Sequence, residues 1–425
     1  MRILAVLIAF WLVSAQSALA FCGFFVAKAD GALFNEASKV VFVRDGRRSV
    51  ITMSNDYRGP AKDFAMVIPT PKVLKRNQIR TVKPETIDHV DAYTAPRLVE
   101  YFDEDPCNPK PVIMMEMAAT GIATKRASSP PKKRGPAAFG VTVKAEYAVG
   151  AYDIVILDAK QSDGLTAYLT QEGYKLPKGG EPVLQSYIEN GMKFFVARVN
   201  LERFEAGGKT DLMPLQISFK SAKFMLPLQL GKLNADESQD ALMFMLTRKG
   251  RVEAKNYANK RMPSDVQIPL FVRHVFPEFY RKIFSRAAAR NTVITEYAWD
   301  MAWCDPCAAD PLSVAELNEL GVDWVREGAN AGQDVFVTRL HIQYDKREFA
   351  KDLEFTVTDD RQNFQGRYIM NVPFTGALQC EAGAKYLERT QARLRREAVE
   401  LQTMTGWEAR EIERRIKLTV PASHY

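Results

Sequence analysis

Apolar residues in this chain come mostly in short runs separated by turn residues, the spacing of strands rather than of long helices. The segment from Phe21 to about Thr81 shows this first. Val40-Val41-Phe42-Val43 and Val50-Ile51-Thr52-Met53 flank Asp45-Gly46, a pair suited to a tight turn, and predict a hairpin. Phe64 to Pro69 predicts a third strand. The pattern then changes. Pro84 to Phe102 predicts helix, with Pro84 in its first turn and Pro96 dividing the stretch in two.

Beyond residue 140 strands and helices are mixed. Val141 to Glu146, Ile154 to Leu157, Phe194 to Val199, Leu215 to Phe219, Leu242 to Leu246 and Val252 to Tyr257 predict strands. Leu165 to Glu172 closed by Gly173, Val183 to Glu189 before Gly191, and the amphipathic Phe276 to Ala289 predict helices. Ser313-Val314-Ala315-Glu316 is a capping box opening a helix that Gly321 ends. Phe195 to Val199 and Phe336 to Leu340 resemble one another, a hint of two similar α+β units. From Gly383 to Leu401 the chain is charged and helical, with Leu387, Leu394 and Leu401 on a stripe expected to lie against its own domain. Thr405-Gly406-Trp407-Glu408 predicts a second capping box, before a last short helix.

These elements predict an α+β protein of two mixed strand-and-helix units with largely antiparallel sheets, plus a helical C-terminal tail. Ser128-Ser129-Pro130-Pro131-Lys132-Lys133-Arg134-Gly135-Pro136 cannot bury enough apolar surface to order itself. The expected organisation is therefore an export signal over 1–20, a strand-rich unit with a helical end over 21–117, a basic linker or loop over 118–138, mixed α+β structure over 139–375, and a charged helical tail over 376–425. The signal is read from Met1-Arg2, the apolar run Ile3 to Val13, and the small-x-small ending Ala18-Leu19-Ala20. Cleavage after Ala20 is expected to leave Phe21 first. A lipid anchor on Cys22 would need a small residue where Phe21 stands. No later apolar run is long enough to span a bilayer, so a soluble protein of the periplasm or the extracellular space is expected.

Composition adds limits. Hydrophobic residues make up 47% of the 425, ordinary for a globular chain. The net charge of +7 is spread over many segments with no aromatic-interleaved basic stripe, so no nucleic-acid partner is expected. The expected partner is a protein or an envelope ligand.

Candidate chemistry centres on the five cysteines. Trp303-Cys304-Asp305-Pro306-Cys307 resembles the redox-active run of the thioredoxin family, with Asp305 in place of glycine. Asp305 places a negative charge beside the thiols and disfavours the thiolate. Pro311 should interrupt a helix continuing from Cys307, and exported proteins hold disulfides for structure more often than for catalysis. Cys304 and Cys307 are expected to form a static bridge, with a redox pair as the alternative. Cys22 and Cys107 are the expected second bridge, with one cysteine left odd. His274 or His341 would have to complete a zinc site at Cys304-x-x-Cys307, and no second pair has metal spacing, so no metal or cofactor is expected. Asp88, His89 and Asp91 read as an exposed helix face. Gly208-Lys209-Thr210 lacks the first glycine of a phosphate loop, where Arg203 stands, and neither Gly-x-Ser-x-Gly nor His-Glu-x-x-His occurs. No catalytic residue is assigned.

Several longer runs resemble an uncharacterised exported bacterial family, domain of unknown function 2330. They are Cys22 to Asp30, Ala92 to Phe102, Tyr152 to Leu157, Gly191 to Ala197, Glu296-Tyr297-Ala298-Trp299-Asp300 and Cys304-Asp305-Pro306-Cys307. The resemblance implies export and supplies no reaction. The expected function is that of a non-catalytic envelope protein that binds or supports a partner. The alternative is a thiol–disulfide oxidoreductase using Cys304 and Cys307.

Overall fold

A computed structural model describes residues 24–28, 34–58, 64–108, 141–206, 212–234, 238–305, 307–326, 334–421 and 424. The expected signal, Cys22 and the basic tract at 118–138 lie outside them. Most strands fall in two large sheets. The first has the order β7 (Val141–Val149), β8 (Tyr152–Ala159), β10 (Lys193–Val199), β4 (Phe64–Thr70), β1 (Phe24–Lys28) and β9 (Tyr174–Lys175), antiparallel throughout. The second runs β15 (Ala258–Arg261), β17 (Thr292–Asp300), β18 (Phe336–Tyr344), β13 (Gln239–Thr247), β2 (Phe34–Asp45), β3 (Arg48–Arg58), β11 (Leu215–Lys220) and β5 (Ile79–Thr81), with β20 (Phe364–Gln365) also on β17. Within it, β15 with β17 and β13 with β2 are parallel. Two small sheets join β12 (Met225–Leu226), β19 (Leu353–Val357) and β14 (Val252–Ala254), and β16 (Val266–Gln267), β21 (Arg367–Val372) and β6 (Arg97–Phe102).

Successive side chains of a strand point to opposite faces, and here the central strands of each large sheet are buried on both faces. Val40 and Phe42 of β2, Ile51 and Met53 of β3, Met66 and Ile68 of β4, and Phe195 and Ala197 of β10 fill one core between the sheets. Their alternate neighbours point outward to helices. Val41, Val43 and Val50 meet α1 (Pro84–Thr94) and α6 (Val314–Leu320) through Ile87, Val90, Leu317 and Leu320. Val67, Phe194 and Val196 meet α2 (Ser162–Gln171) and α3 (Gly180–Glu189) through Leu165, Leu169, Leu184 and Tyr187. The layers are thus helix, sheet, sheet, helix, and burial on both sides explains why the strands appear in sequence as unbroken apolar runs. Each fully buried aliphatic or phenyl side chain stabilises the fold by about 1.5–3 kcal/mol relative to exposure. The short α4 (Leu201–Ala206) follows β10. A fourth core packs α5 (Phe276–Ala287), α7 (Glu381–Thr405) and α8 (Ala409–Thr419) on Ile294, Tyr368 and Met370.

The class is α+β with mostly antiparallel sheets. The segments 21–117 and 139–375, expected as separate units, share both large sheets: β4 pairs with β10, and β2 lies between β13 and β3. Strands Phe195 to Val199 and Phe336 to Leu340 sit in different sheets. Residues 97–102, expected to be helical, form β6. Pro96 stops the helix, and the chain beyond it pairs in parallel with β21. Thr405 is the last residue of α7 and not the cap of α8; Gly406, at φ 72, closes α7 and Glu408 precedes α8. The Ser313 box is formed, and Gly321 ends α6 at φ 99. A β-carbon at Gly321 would stand 2.8 Å from Val50, so the position excludes side chains twice over. Leu394 and Leu401 face the fourth core, so the stripe lies on its own protein.

Cys304 bonds Cys307, and Cys107 bonds Cys380 rather than Cys22. The cause is the parallel pair β6–β21, whose strands leave the sheet on the same side, with Phe102 opposite Val372. Each chain continues briefly to its cysteine, and Cys380 stands at the N-cap of α7. The bridge closes a loop of 273 residues in separation. Replacing Cys380→Ser should lower unfolding free energy by about 2–5 kcal/mol, read as a fall in denaturant midpoint. Replacing Cys304 and Cys307 together should cost less, because their loop is short.

Candidate functional site

A charge inside a buried strand needs partners. Glu296 lies on β17 at a bulge, where the register with β18 shifts between Thr295 and Tyr297. Arg339 and His341 are two apart on β18 and so share a face. Glu296 is fully buried, Arg339 is 6% exposed and His341 9%. Arg339 Nε donates to Glu296 Oε2 at 2.6 Å, and His341 Nδ1 lies 2.6 Å from Oε1. The Tyr280 hydroxyl of α5 also donates to Oε1. Outward on one side, His341 Nε2 meets Asp240 of β13 at 3.0 Å. On the other, Arg339 donates to Asp91 of α1 at 2.6 Å. Lys39 of β2 then reaches Asp91 at 2.8 Å and Asp88 at 3.0 Å. Alternating charges therefore run from Asp240 through His341, Glu296, Arg339, Asp91 and Lys39 to Asp88. Phe284 stacks on His341 at 3.8 Å.

Burial pushes the Glu296 carboxyl up, but the His341 and Arg339 charges and the bonds from His341 and Tyr280 outweigh it and hold it at about 2. Burial pulls the His341 imidazole down, and Glu296 and Asp240 outweigh that and raise it to about 9. The same contest lowers Asp91 and raises Lys39. A general acid or base works best with its pKa near the operating pH. Glu296 and His341 are pushed away from that range, and neighbours occupy their polar atoms. The ladder is built to hold elements together.

The Cys304–Cys307 bridge lies in the loop between β17 and α6. Cys307 is exposed, and Trp303, 51% exposed, packs edge-on against Trp299 at 5.0 Å. Helix α6 begins only at Val314, so its N-terminal dipole does not bear on the thiols. His341 is held by Glu296 and Asp240. Among the described residues, no three His, Cys, Asp or Glu side chains are placed to hold a metal ion. His89, expected to be solvated, is instead a strut from α1. Its Nδ1 lies 2.7 Å from Glu316 and its Nε2 2.9 Å from the Asp310 carbonyl.

A second polar cluster fixes the C-terminal helices. Asp103 accepts from both terminal nitrogens of Arg393, at 3.0 and 2.7 Å, and from Tyr386 at 2.6 Å. Glu397, 2% exposed, lies 3.7 Å from Arg393. Burial raises its carboxyl to about 8 although Arg393 pulls it down.

Open space lies elsewhere. A cleft of about 630 Å³ opens between α3 and the segments around Lys223 and Lys351. It adjoins an apolar slot of about 30 Å³ that enters between the large sheets beside Ile51, Ile68 and Ile217. Met192, Lys223 and Met225 line both.

Sequence reasoning missed the roles of Glu296, Arg339 and Asp91. The available signal was a charge set in the middle of an apolar strand run, at Glu296 between Val293 and Ala298 and at Arg339 between Phe336 and Ile342.

A family model described as an uncharacterized protein conserved in bacteria (DUF2330) matches residues 16–356. The match takes in the ladder and the Cys304–Cys307 loop and stops before α7 and α8. No curated protein and no solved structure matches the chain.

Glu296→Gln should cost about 3–5 kcal/mol in a denaturant titration, because Arg339 and His341 remain buried without the carboxylate that lies between them. The stability that His341 contributes is complete below its unfolded value of about 6.5 and is lost as pH rises through about 9. That of Glu296 is present above 4.5 and is lost as pH falls through about 2. Glu397, raised by burial, also favours the fold less as pH climbs from 4.5 to about 8. The fall in midpoint between about pH 6.5 and 9 should therefore shrink in His341→Gln, and that between about pH 4.5 and 8 should shrink in Glu397→Gln.

Proposed function

We propose a binding role outside the cytoplasm for this chain, which belongs to the family described as uncharacterized and conserved in bacteria (DUF2330). The observation that carries the reading is the mutual pairing of the charges in the ladder on β17 and β18. Arg339 and His341 each bond Glu296, and Glu296 and His341 are held at protonation states far from those of a working acid or base. The cleft beside α3 supplies the concave surface that a binding protein needs. Export rests on the basic, apolar and small-x-small order of the first twenty residues. Among the described residues no helix is long and apolar enough to cross a membrane.

A second reading, a thiol–disulfide oxidoreductase, is favoured by the exposure of Cys307 beside a half-exposed Trp303. Against it stand the separation of the bridge from α6 and the packing of Cys304 against the core beneath the second sheet.

Two measurements test the role. Protein recovered from the periplasm or medium should begin at Phe21 on N-terminal sequencing; material retained in the cytoplasm with residues 1–20 attached would end the export reading. The Cys304–Cys307 couple should have a potential below about −300 mV, as structural bridges do. A more oxidising couple that turns over a model disulfide would establish the oxidoreductase instead.

A further inference from the structure

The geometry points to a ligand for the cleft: a short peptide ending in an aliphatic residue with a free carboxylate. This rests on the binding role proposed above and names its ligand. Native interiors keep few voids, yet the slot between the sheets is open and lined by Ile51, Ile68 and Ile217. Its 30 Å³ would seat about two waters, or two to three carbons of an aliphatic side chain. An apolar wall offers water no partners, so a methyl-bearing group is the better occupant. Met192 and Met225 stand where slot meets cleft, and their unbranched side chains adapt to differently shaped apolar groups.

Charge places the carboxylate. Lys223 lines both spaces and Lys351 lines the cleft, and neither makes an ion pair with a described residue. Asp352 in the cleft wall is already engaged, accepting from Tyr187 at 2.7 Å and from the backbone N–H of Leu228 and Gln229 at 2.8 and 3.0 Å. Glu354 is the other acid there, and both acids line the cleft alone, whereas Lys223 is the charged residue that also lines the slot. An anion directly beside an aliphatic group fits where Lys223 borders the slot, which is the arrangement at the last residue of a peptide. The rest of the cleft, with Ser186, Asn190 and Gln229, offers hydrogen bonds to the preceding peptide groups.

Calorimetry on the purified chain tests this with acetyl-Ala-Ala-Leu as the free acid, its C-terminal amide, acetyl-Ala-Ala-Asp and decanoate. The free acid should bind, and the amide should bind about tenfold or more weakly, the loss expected for one charge-assisted bond. Lys223→Gln, a change at an exposed residue, should bring the acid down to the amide. Met225→Trp should abolish the preference for Leu over Asp by filling the slot. Equal binding of acid and amide, equal binding of Leu and Asp peptides, tighter binding of decanoate, or no heat at millimolar peptide would each overturn the proposal. If the peptides fail while the Cys304–Cys307 bridge proves inert, the ligand is wrong and the binding role stands; a catalytic bridge would remove that role itself.

Discussion

One buried carboxylate, that of Glu296, ties several elements of this protein together. Directly it joins β17 to β18 and α5; through Arg339 it reaches α1, and through His341 it reaches β13. A carboxylate withdrawn from water costs several kcal/mol unless opposite charge and hydrogen bonds compensate it. Its partners are therefore confined to one arrangement, and the ladder they belong to draws on both sides of residues 118–138. Apolar packing supplies most of the stability, but greasy surfaces slide. The ladder sets which strand and which helix meet, much as a single polar residue sets register in a coiled coil.

The same constraint bears on function. The paired side chains of the ladder are poor reagents, and the surface carries an exposed bridge at Cys304–Cys307 and a cleft beside α3. The family match stops at residue 356. Helices α7 and α8 lie beyond it, yet they are held to the body by the Cys107–Cys380 bridge and by Asp103 with Arg393. The tail is thus an integral layer over β21 and α5.

What the sequence revealed depended on range. The hairpin at Asp45-Gly46, the capping box at Ser313 and the stop at Gly321 are settled by neighbours a few residues away, and each appears where the pattern placed it. Strand β6 was misread as helix because its evidence lies on β21, far along the chain. The Cys107–Cys380 bridge was missed for the same reason, since it follows from that pairing. The ladder was half legible: charges within apolar strand runs announce a need for partners without naming them. The cleft was illegible, because turns and helix ends from three distant segments form it.

The most direct test of the central claim is the protonation of His341, followed by nitrogen NMR of the imidazole across pH. If Glu296 and Asp240 hold it as described, both ring nitrogens carry protons at pH 7.5 and the ring titrates only near 9. A His341 that titrates near the ordinary value of about 6.5 would contradict the account, because its charge pairs with Glu296 and Asp240 would then be absent at neutral pH.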